Sequence, residues 1–127
     1  MLKSGLLNPH LLHALGTLGH TDTMVIADCG LPLPRTATVV DLSLVPGLPT
    51  FASVLDALAK ALVVEGVTMA SEARGQQPEA QVREHYADVE FVSHEELKAR
   101  LPEAKVIVRT GETTPYANVI LRSGVGF

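Results

Sequence analysis

The sequence has one cysteine, no tryptophan and few charged side chains. The lone thiol, Cys29, excludes an internal disulfide and a cysteine-rich zinc site. Ten basic residues against 14 acidic ones give a net charge of −4, which argues against binding to nucleic acid. No apolar run approaches the ~18 residues that span a bilayer, and the amino-terminal residues lack the apolar region of a signal peptide. We therefore expect a cytoplasmic protein that does not insert into a membrane.

What the sequence does have is a high content of apolar residues. They make up 46% of the chain, while charged residues make up 19%, below the soluble average of ~25%. The apolar content excludes a disordered chain, and the length predicts one domain over residues 1–127. A small domain exposes much of its surface, so the low charge indicates that another copy covers part of it. We expect a homo-oligomer.

Strand and helix patterns alternate along the chain. Apolar runs predict strands at 24–27, 38–44, 63–69, 89–92, 105–109 and 118–121. Capping residues and helical spacing predict helices that begin at Asn8-Pro9, Thr50, near Pro78 and at Ser93, the first of them ending near Gly19. The predicted fold is α/β, a three-layer sandwich with a largely parallel central sheet flanked by helices. No helix separates the last two strands, so an antiparallel arrangement is open to them.

The common cofactor and nucleophile motifs are missing. There is no GxxxxGK[ST] phosphate loop and no GxSxG elbow. The closing Gly124-Val125-Gly126 lacks the following helix that a dinucleotide loop requires. We therefore expect no cofactor, and any activity must use ordinary acid, base and amide side chains.

Among five histidines, His20 has the most informative neighbours. It lies in the turn before the first buried strand, two residues from Asp22. A carboxylate that accepts a hydrogen bond from one ring nitrogen fixes the tautomer and makes the other nitrogen more basic. The alternative, a capping histidine in a turn, stays equally open. His10 and His13 fit surface positions better than a shared metal, so no metal site is predicted.

Three later segments carry groups suited to a polar ligand. Asp28 ends the first buried strand, at the edge where α/β sheets bind ligands, although a structural bond to the loop at Gly30 is an equal alternative. His94 follows the Ser93 cap, where the helix dipole disfavours imidazolium; the alternative is an exposed first-turn residue. Tyr116-Ala117-Asn118 supplies a phenol and an amide, groups that bind sugar hydroxyls.

Five segments occur in an order typical of one family: Gly19-His20-Thr21-Asp22-Thr23, Asp28-Cys29-Gly30-Leu31-Pro32-Leu33-Pro34, Arg109-Thr110-Gly111-Glu112, Pro115-Tyr116-Ala117-Asn118 and Gly124-Val125-Gly126-Phe127. Together they resemble the D-ribose pyranase and L-fucose mutarotase family over nearly the whole chain. Thr21 after the histidine and the Tyr-Ala-Asn triplet resemble the ribose branch. The segment 71–90 is shorter than in many relatives.

The resemblance implies a cofactor-independent isomerase that interconverts the pyranose and furanose forms of D-ribose, and its anomers, by general acid–base opening of the hemiacetal. It implies His20 as proton donor, oriented in our hypothesis by Asp22, and a sugar held by Asp28, His94, Tyr116, Ala117 and Asn118. It further implies a decamer of two pentameric rings, active sites near subunit boundaries and a role in ribose catabolism. L-fucose mutarotase and a non-catalytic sugar-binding subunit of a ribose uptake system are the alternatives.

Overall fold

The computed structural model describes residues 1–127 as six strands and four helices. The strands are β1 (Thr23–Ala27), β2 (Val39–Asp41), β3 (Val64–Ala70), β4 (Glu90–Val92), β5 (Val106–Arg109) and β6 (Val119–Ser123). The helices are α1 (Pro9–Gly16), α2 (Phe51–Ala61), α3 (Gln77–Arg83) and α4 (His94–Arg100). Each predicted element is present, but β2 is shorter than 38–44 and α1 ends before Gly19. The β2 ladder ends after the bond from the Leu42 N–H to the Arg109 carbonyl, because the next groups bond within the following turn: the Leu44 N–H donates to Leu48 and the Gly111 N–H to Pro49.

The strands form one sheet in the order β2-β5-β1-β6-β3-β4. Strands β1 to β5 all run parallel, and β6 lies antiparallel between β1 and β3. The last two strands are therefore not neighbours, because β1 separates β5 from β6. The carboxyl ends of β1, β3, β4 and β5 meet the start of β6 at one edge, which we name the carboxyl edge. The opposite edge, where β1 and β3 begin and β6 ends, is the amino edge.

Helices cover both faces of the sheet, which confirms the three-layer sandwich. On one face, Met24 and Ile26 of β1 share a buried cluster with Phe51 of α2. On the other face, Val25 of β1 packs in a smaller cluster with Leu97 of α4. All five side chains are at most 1% exposed. Successive residues of a strand point to opposite faces, so β1 is packed on both of its faces. This packing holds the strand, and the residues at its two ends, in place.

Capping contacts confirm three of the four predicted helix starts, those of α1, α2 and α4, whereas α3 has no side-chain cap. Asn8 Oδ1 accepts the N–H of Leu11 at 2.9 Å, and Ser93 Oγ accepts the N–H of Glu96 at 3.1 Å. Such caps satisfy backbone donors that have no partner within the helix. The longest helix, α2, has 11 residues, and no helix is long and apolar enough to cross a membrane.

Gly111, two residues after β5, has no room for a side chain. A Cβ there would overlap the carbonyl oxygen of Leu48. We expect Gly111→Ala to lower the free energy of unfolding by about 1–3 kcal/mol, because the backbone of the neighbouring turn must move. Urea unfolding at fixed protein concentration measures this change. Gly16→Ala, where nothing lies within 4 Å, is the matched control, and an equal stability of the two variants would contradict the prediction.

Candidate functional site

A cleft of about 400 Å³ opens at the carboxyl edge of the sheet. Its walls are the loop 28–32 after β1, the segment 112–116 before β6, and His94 at the start of α4. These segments are distant in sequence and meet because β1, β4 and β5 all end at this edge. Ligands of open α/β sheets bind in this position. Three of the predicted residues, Asp28, His94 and Tyr116, therefore come together in one candidate site.

Asp28 is held in the cleft by a reciprocal pair of hydrogen bonds. Its backbone N–H donates to Asn118 Oδ1 at 2.8 Å, and Asn118 Nδ2 donates to its Oδ2 at 3.0 Å. The Gly30 N–H donates to Oδ1 of Asp28 at 2.9 Å, so the structural contact expected as an alternative is also present. Asn118 is fully buried, and Ala117 is 1% exposed. Neither residue lines the cleft, and Asn118 acts on it by orienting the Asp28 carboxylate.

Arg109, the last residue of β5, fixes the loop that carries Asp28. Its Nε and Nη2 donate to the carbonyl oxygen of Cys29 at 3.2 and 2.6 Å. Its Nη1 donates to Asp41 at 3.0 Å and to Ser43 at 3.1 Å, at the end of β2. The guanidinium thus joins three neighbouring strand ends, and charge-assisted bonds of this kind are the stronger ones.

Glu112 connects the cleft to the start of α2. Its Oε1 accepts the N–H of Phe51 at 2.9 Å, and its Oε2 accepts the hydroxyl and the N–H of Thr114 at 3.0 and 3.2 Å. Burial alone would raise the pKa of Glu112, but these hydrogen bonds outweigh it and hold the pKa below its usual range. The carboxylate stays ionised and holds the segment 112–116 against the helix.

His94 and Tyr116 pack against each other in the wall of the cleft. Their ring centroids lie 5.1 Å apart at 83°, an edge-to-face arrangement. The backbone N–H of His94 donates to both carboxylate oxygens of Glu72, at 3.1 and 3.2 Å, while its ring atom Nδ1 is buried without a partner. Tyr116 has a φ of +62°, a left-handed conformation that is rare for a bulky residue and is concentrated at functional sites.

His20 lies at the amino edge, opposite the cleft. Strand β1 connects the two edges, with Asp22 just before it and Asp28 just after it. At a rise of about 3.3 Å per residue, these two residues are about 20 Å apart. No side chain spans this distance. His20 and Asp28 therefore do not meet within one chain, although the sequence analysis assigned them to one site.

The expected hydrogen bond between Asp22 and His20 is absent. Asp22 Oδ2 instead accepts the N–H of Gly19 at 2.7 Å and the ammonium of Lys105 at 3.0 Å. The Gly19 N–H, and then Lys105, hold the pKa of Asp22 below its usual range. The residue that contacts the imidazole is Glu65, whose Oε2 lies 3.0 Å from His20 Nε2. Asp22 therefore holds the turn together and does not orient the ring.

The turn that carries His20 is strained. The N–H of Asp22 donates to the carbonyl oxygen of Gly19, which closes a four-residue turn with His20 and Thr21 at its centre. Thr21 has a φ of +70°, in the left-handed region that favours glycine. Its N–H donates to the carbonyl oxygen of Ser123 at 2.9 Å, which ties the turn to the end of β6. The backbone therefore presents His20 at a defined place on the amino edge.

A larger groove of about 700 Å³ lies on the side of the amino edge and is lined by charged residues. It contains Glu65 and Arg122 but none of the cleft residues. Its other arginines are paired as well, Arg83 with Glu79 and Arg100 with Glu90. Each arginine of the groove is thus paired with a glutamate, and none of the predicted sugar-binding residues lines the groove, so the smaller cleft is the better candidate.

Sequence reasoning missed the roles of Glu65, Arg109 and Glu112. Glu65 is the only charged residue in the apolar run 63–69, and that interruption was the available signal. Arg109 and Glu112 belong to a segment that carried the family resemblance, but their roles depend on contacts 80 and 61 residues away. Local spacing contains no information about such contacts.

Known proteins match the chain from end to end. D-ribose pyranase of Cutibacterium acnes is 55% identical over 127 residues, with both chains fully covered. D-ribose pyranase of Geobacillus kaustophilus is 52% identical, over all of this chain and 96% of its own.

Solved structures share the fold. Bacillus subtilis RbsD, solved with D-ribose, superposes with a TM-score of 0.94 at 45% identity, and both chains are fully covered. The fucose mutarotase of Streptococcus pneumoniae, solved with L-fucose, has a TM-score of 0.80 at 26% identity over 94% of each chain. The model of the RbsD / FucU transport protein family matches residues 1–126. Over essentially its whole length, the chain belongs to that family.

Proposed function

We propose that the chain is a D-ribose pyranase, an isomerase that interconverts the pyranose and furanose forms of D-ribose without a cofactor. The observation that carries the proposal is the cleft, where a carboxylate, an imidazole and a phenol meet in a space suited to a monosaccharide. The full-length identity to D-ribose pyranases supports ribose as the sugar. L-fucose is the second candidate, because the fucose mutarotase shares the fold at lower identity.

The reaction requires proton transfer at two oxygens. The ring oxygen gains a proton while the anomeric hydroxyl loses one, the bond between C1 and the ring oxygen breaks, and C1 becomes an aldehyde. Closure through another hydroxyl, or on the other face, gives the other ring form or anomer. General acid–base catalysis is worth typically ~10²–10⁴-fold, and this gain suffices because free sugars already interconvert slowly in water.

The cleft residues supply binding and the second proton transfer. The Asp28 carboxylate accepts hydrogen bonds from sugar hydroxyls, and the Tyr116 hydroxyl both donates and accepts. The imidazole of His94 lines the cleft, and because its Nδ1 is buried, Nε2 is the ring nitrogen that a sugar hydroxyl reaches. Asp28 and His94 are the two groups able to receive the proton of the anomeric hydroxyl. Ala117 and Asn118 shape the wall behind them.

The proton donor, His20, comes in this proposal from a neighbouring copy. His20 is at the wrong edge to reach the cleft of its own chain, but a copy that docks its amino edge on the carboxyl edge brings it there. Such a contact joins two different surfaces, so it repeats from copy to copy, and it closes into a ring where the rotation between copies divides a full turn evenly.

Exposed apolar side chains support this head-to-tail contact. At the carboxyl edge, the turn after β2 exposes Leu44 (74%), Val45 (53%) and Leu48 (51%) next to Gly111. At the amino edge, Val63 (51%) and Phe127 (105%) lie near the end of β6. Two apolar patches, one beside each half of the site, fit surfaces that bury each other.

We assign to the assembly the form that the family resemblance implies, a homodecamer of two stacked pentameric rings of the 13.5 kDa chain. We further place the enzyme in the cytoplasm, where ribose taken up by a transporter needs the ring form that the next enzyme accepts. Light scattering or native mass spectrometry measures the number of copies. A monomer at micromolar concentration would contradict the proposed site, because His20 would then have no neighbouring cleft in which to act.

Ring exchange tests the activity. In saturation-transfer NMR, we expect the wild-type protein to accelerate exchange between the pyranose and furanose signals of D-ribose. His20→Ala removes the proton donor and Asp28→Asn removes the cleft carboxylate, so each should lose about 10²–10⁴-fold of the catalysed rate. Lys3→Ala, exposed and far from both halves of the site in sequence, is the control for unchanged activity.

The same experiment separates the alternatives. Faster exchange of L-fucose than of D-ribose would assign the protein to fucose. Binding of ribose without faster exchange would indicate a sugar-binding subunit. A His20→Ala variant as active as the wild type would overturn the proton-donor role.

Mixed assemblies test whether the site is shared between copies. We expect His20→Ala and Asp28→Asn chains, co-expressed with different tags and purified through both, to regain activity that neither variant has alone. If each site takes His20 from one copy and Asp28 from the next, roughly one quarter of the sites in a random mixture are complete. If both residues act within one chain, no site is complete, so mixed assemblies without activity would refute the shared site.

A further inference from the structure

Glu65 is the partner of His20 on the amino edge. Its Oε2 lies 3.0 Å from His20 Nε2, the only side-chain hydrogen bond of the imidazole in the protomer. The His20 side chain is 53% exposed, so packing alone does not fix its ring. The Glu65 side chain is less exposed, at 34%. Its carboxylate is therefore the group that restrains the imidazole of His20.

The backbone aims Glu65 at this position. It lies where the pairing of β3 with β6 shifts register, between the pairs Val64–Ser123 and Gly66–Arg122. A β-bulge of this kind turns a side chain that a regular strand would direct elsewhere, and bulges are common beside functional sites. The irregularity thus places a carboxylate next to the His20 turn.

Arg122 holds the other oxygen of the same carboxylate. Its Nε lies 3.2 Å from Glu65 Oε1, which leaves Oε2 for His20. Gly66 makes this possible, because a Cβ there would lie 3.2–3.3 Å from atoms of the Arg122 side chain. An exposed ion pair contributes little to folding stability, so the arrangement is better explained by what it does to His20.

The contact determines which ring nitrogen is free. An ionised carboxylate only accepts hydrogen bonds, so Nε2 of His20 carries the hydrogen in this contact. The other nitrogen, Nδ1, then remains available to give or take a proton. Glu65 therefore fixes the His20 tautomer, the role predicted for Asp22 from its place in the sequence.

We propose that Glu65, steered by Arg122, is the positioning residue that holds His20 as the Nε2–H tautomer and directs Nδ1 to the ring oxygen of the sugar in the neighbouring cleft. This rests on the proposed function of His20 as proton donor. In the opening step, the imidazolium gives its Nδ1 proton to the ring oxygen as the C1–oxygen bond breaks, and it keeps Nε2–H bonded to Glu65. Closure returns a proton to Nδ1.

Kinetics of Glu65→Gln test the proposal. An amide both donates and accepts, so it no longer selects one tautomer, and we expect kcat for ribose exchange to fall at least about tenfold but less than in His20→Ala. KM should stay nearly unchanged, because Glu65 is not a cleft residue. Glu65→Asp, which keeps the charge, should recover part of the loss. Glu84→Gln, an exposed glutamate without a contact to His20, is the matched control.

Nitrogen-15 NMR of the assembled protein measures the tautomer of the His20 ring. This quantity would not change if Glu65 only stabilised the fold. The ring nitrogens of His20, assigned by their loss in His20→Ala, should report the Nε2–H tautomer in wild type and a mixture in Glu65→Gln. If His20→Ala is inactive while Glu65→Gln keeps both wild-type kcat and tautomer, the positioning role is overturned and the proposed function stands. If His20→Ala is fully active, the proposed function itself has failed.

Discussion

Strand β6 runs against the direction of its two neighbours, and both halves of the site depend on its pairing with β1 and β3. Its start brings Asn118 to the carboxyl edge, where the buried amide clamps the backbone and the carboxylate of Asp28. Its end brings Arg122 to the amino edge, where the guanidinium holds Glu65. A parallel β6 would exchange these ends, so that Asp28 would lose Asn118 and Glu65 would lose Arg122. The direction of this one strand and its register with two neighbours therefore organise two clusters about 20 Å apart.

The parts of the fold and site that depend on local pattern could be predicted from the sequence. Asp28 follows a strand buried on both faces, and the strand polarity of an α/β sheet places such a residue at the ligand-binding edge. The partner of His20 could not be predicted in this way. Asp22 is two residues from His20, but its carboxylate is taken by Gly19 N–H and Lys105. Glu65 is 45 residues away and reaches the ring because of a bulge that periodicity does not indicate.

The separation of His20 from the cleft explains why the chain has few charged residues. A chain that needs a neighbour to complete its site must leave apolar surface exposed at the contact. Leu44 and Val45 at one edge and Val63 and Phe127 at the other are exposed in that way. Burial of such side chains is the main favourable term in association, whereas charged residues there would have to lose their water. Oligomerisation and catalysis therefore constrain the same residues in the proposed assembly.

Assembly also changes the strength of the interaction between His20 and Glu65. In the isolated chain both side chains are hydrated, and an exposed pair of this kind is screened and weak. When a neighbour covers the amino edge, water leaves and the effective dielectric constant falls, so the same 3.0 Å contact orients the imidazole more strongly. In the proposal, the histidine is therefore loosely restrained in a monomer and aligned as an acid in the ring. In the proposed enzyme, docking creates the site and also strengthens the interaction that directs its proton.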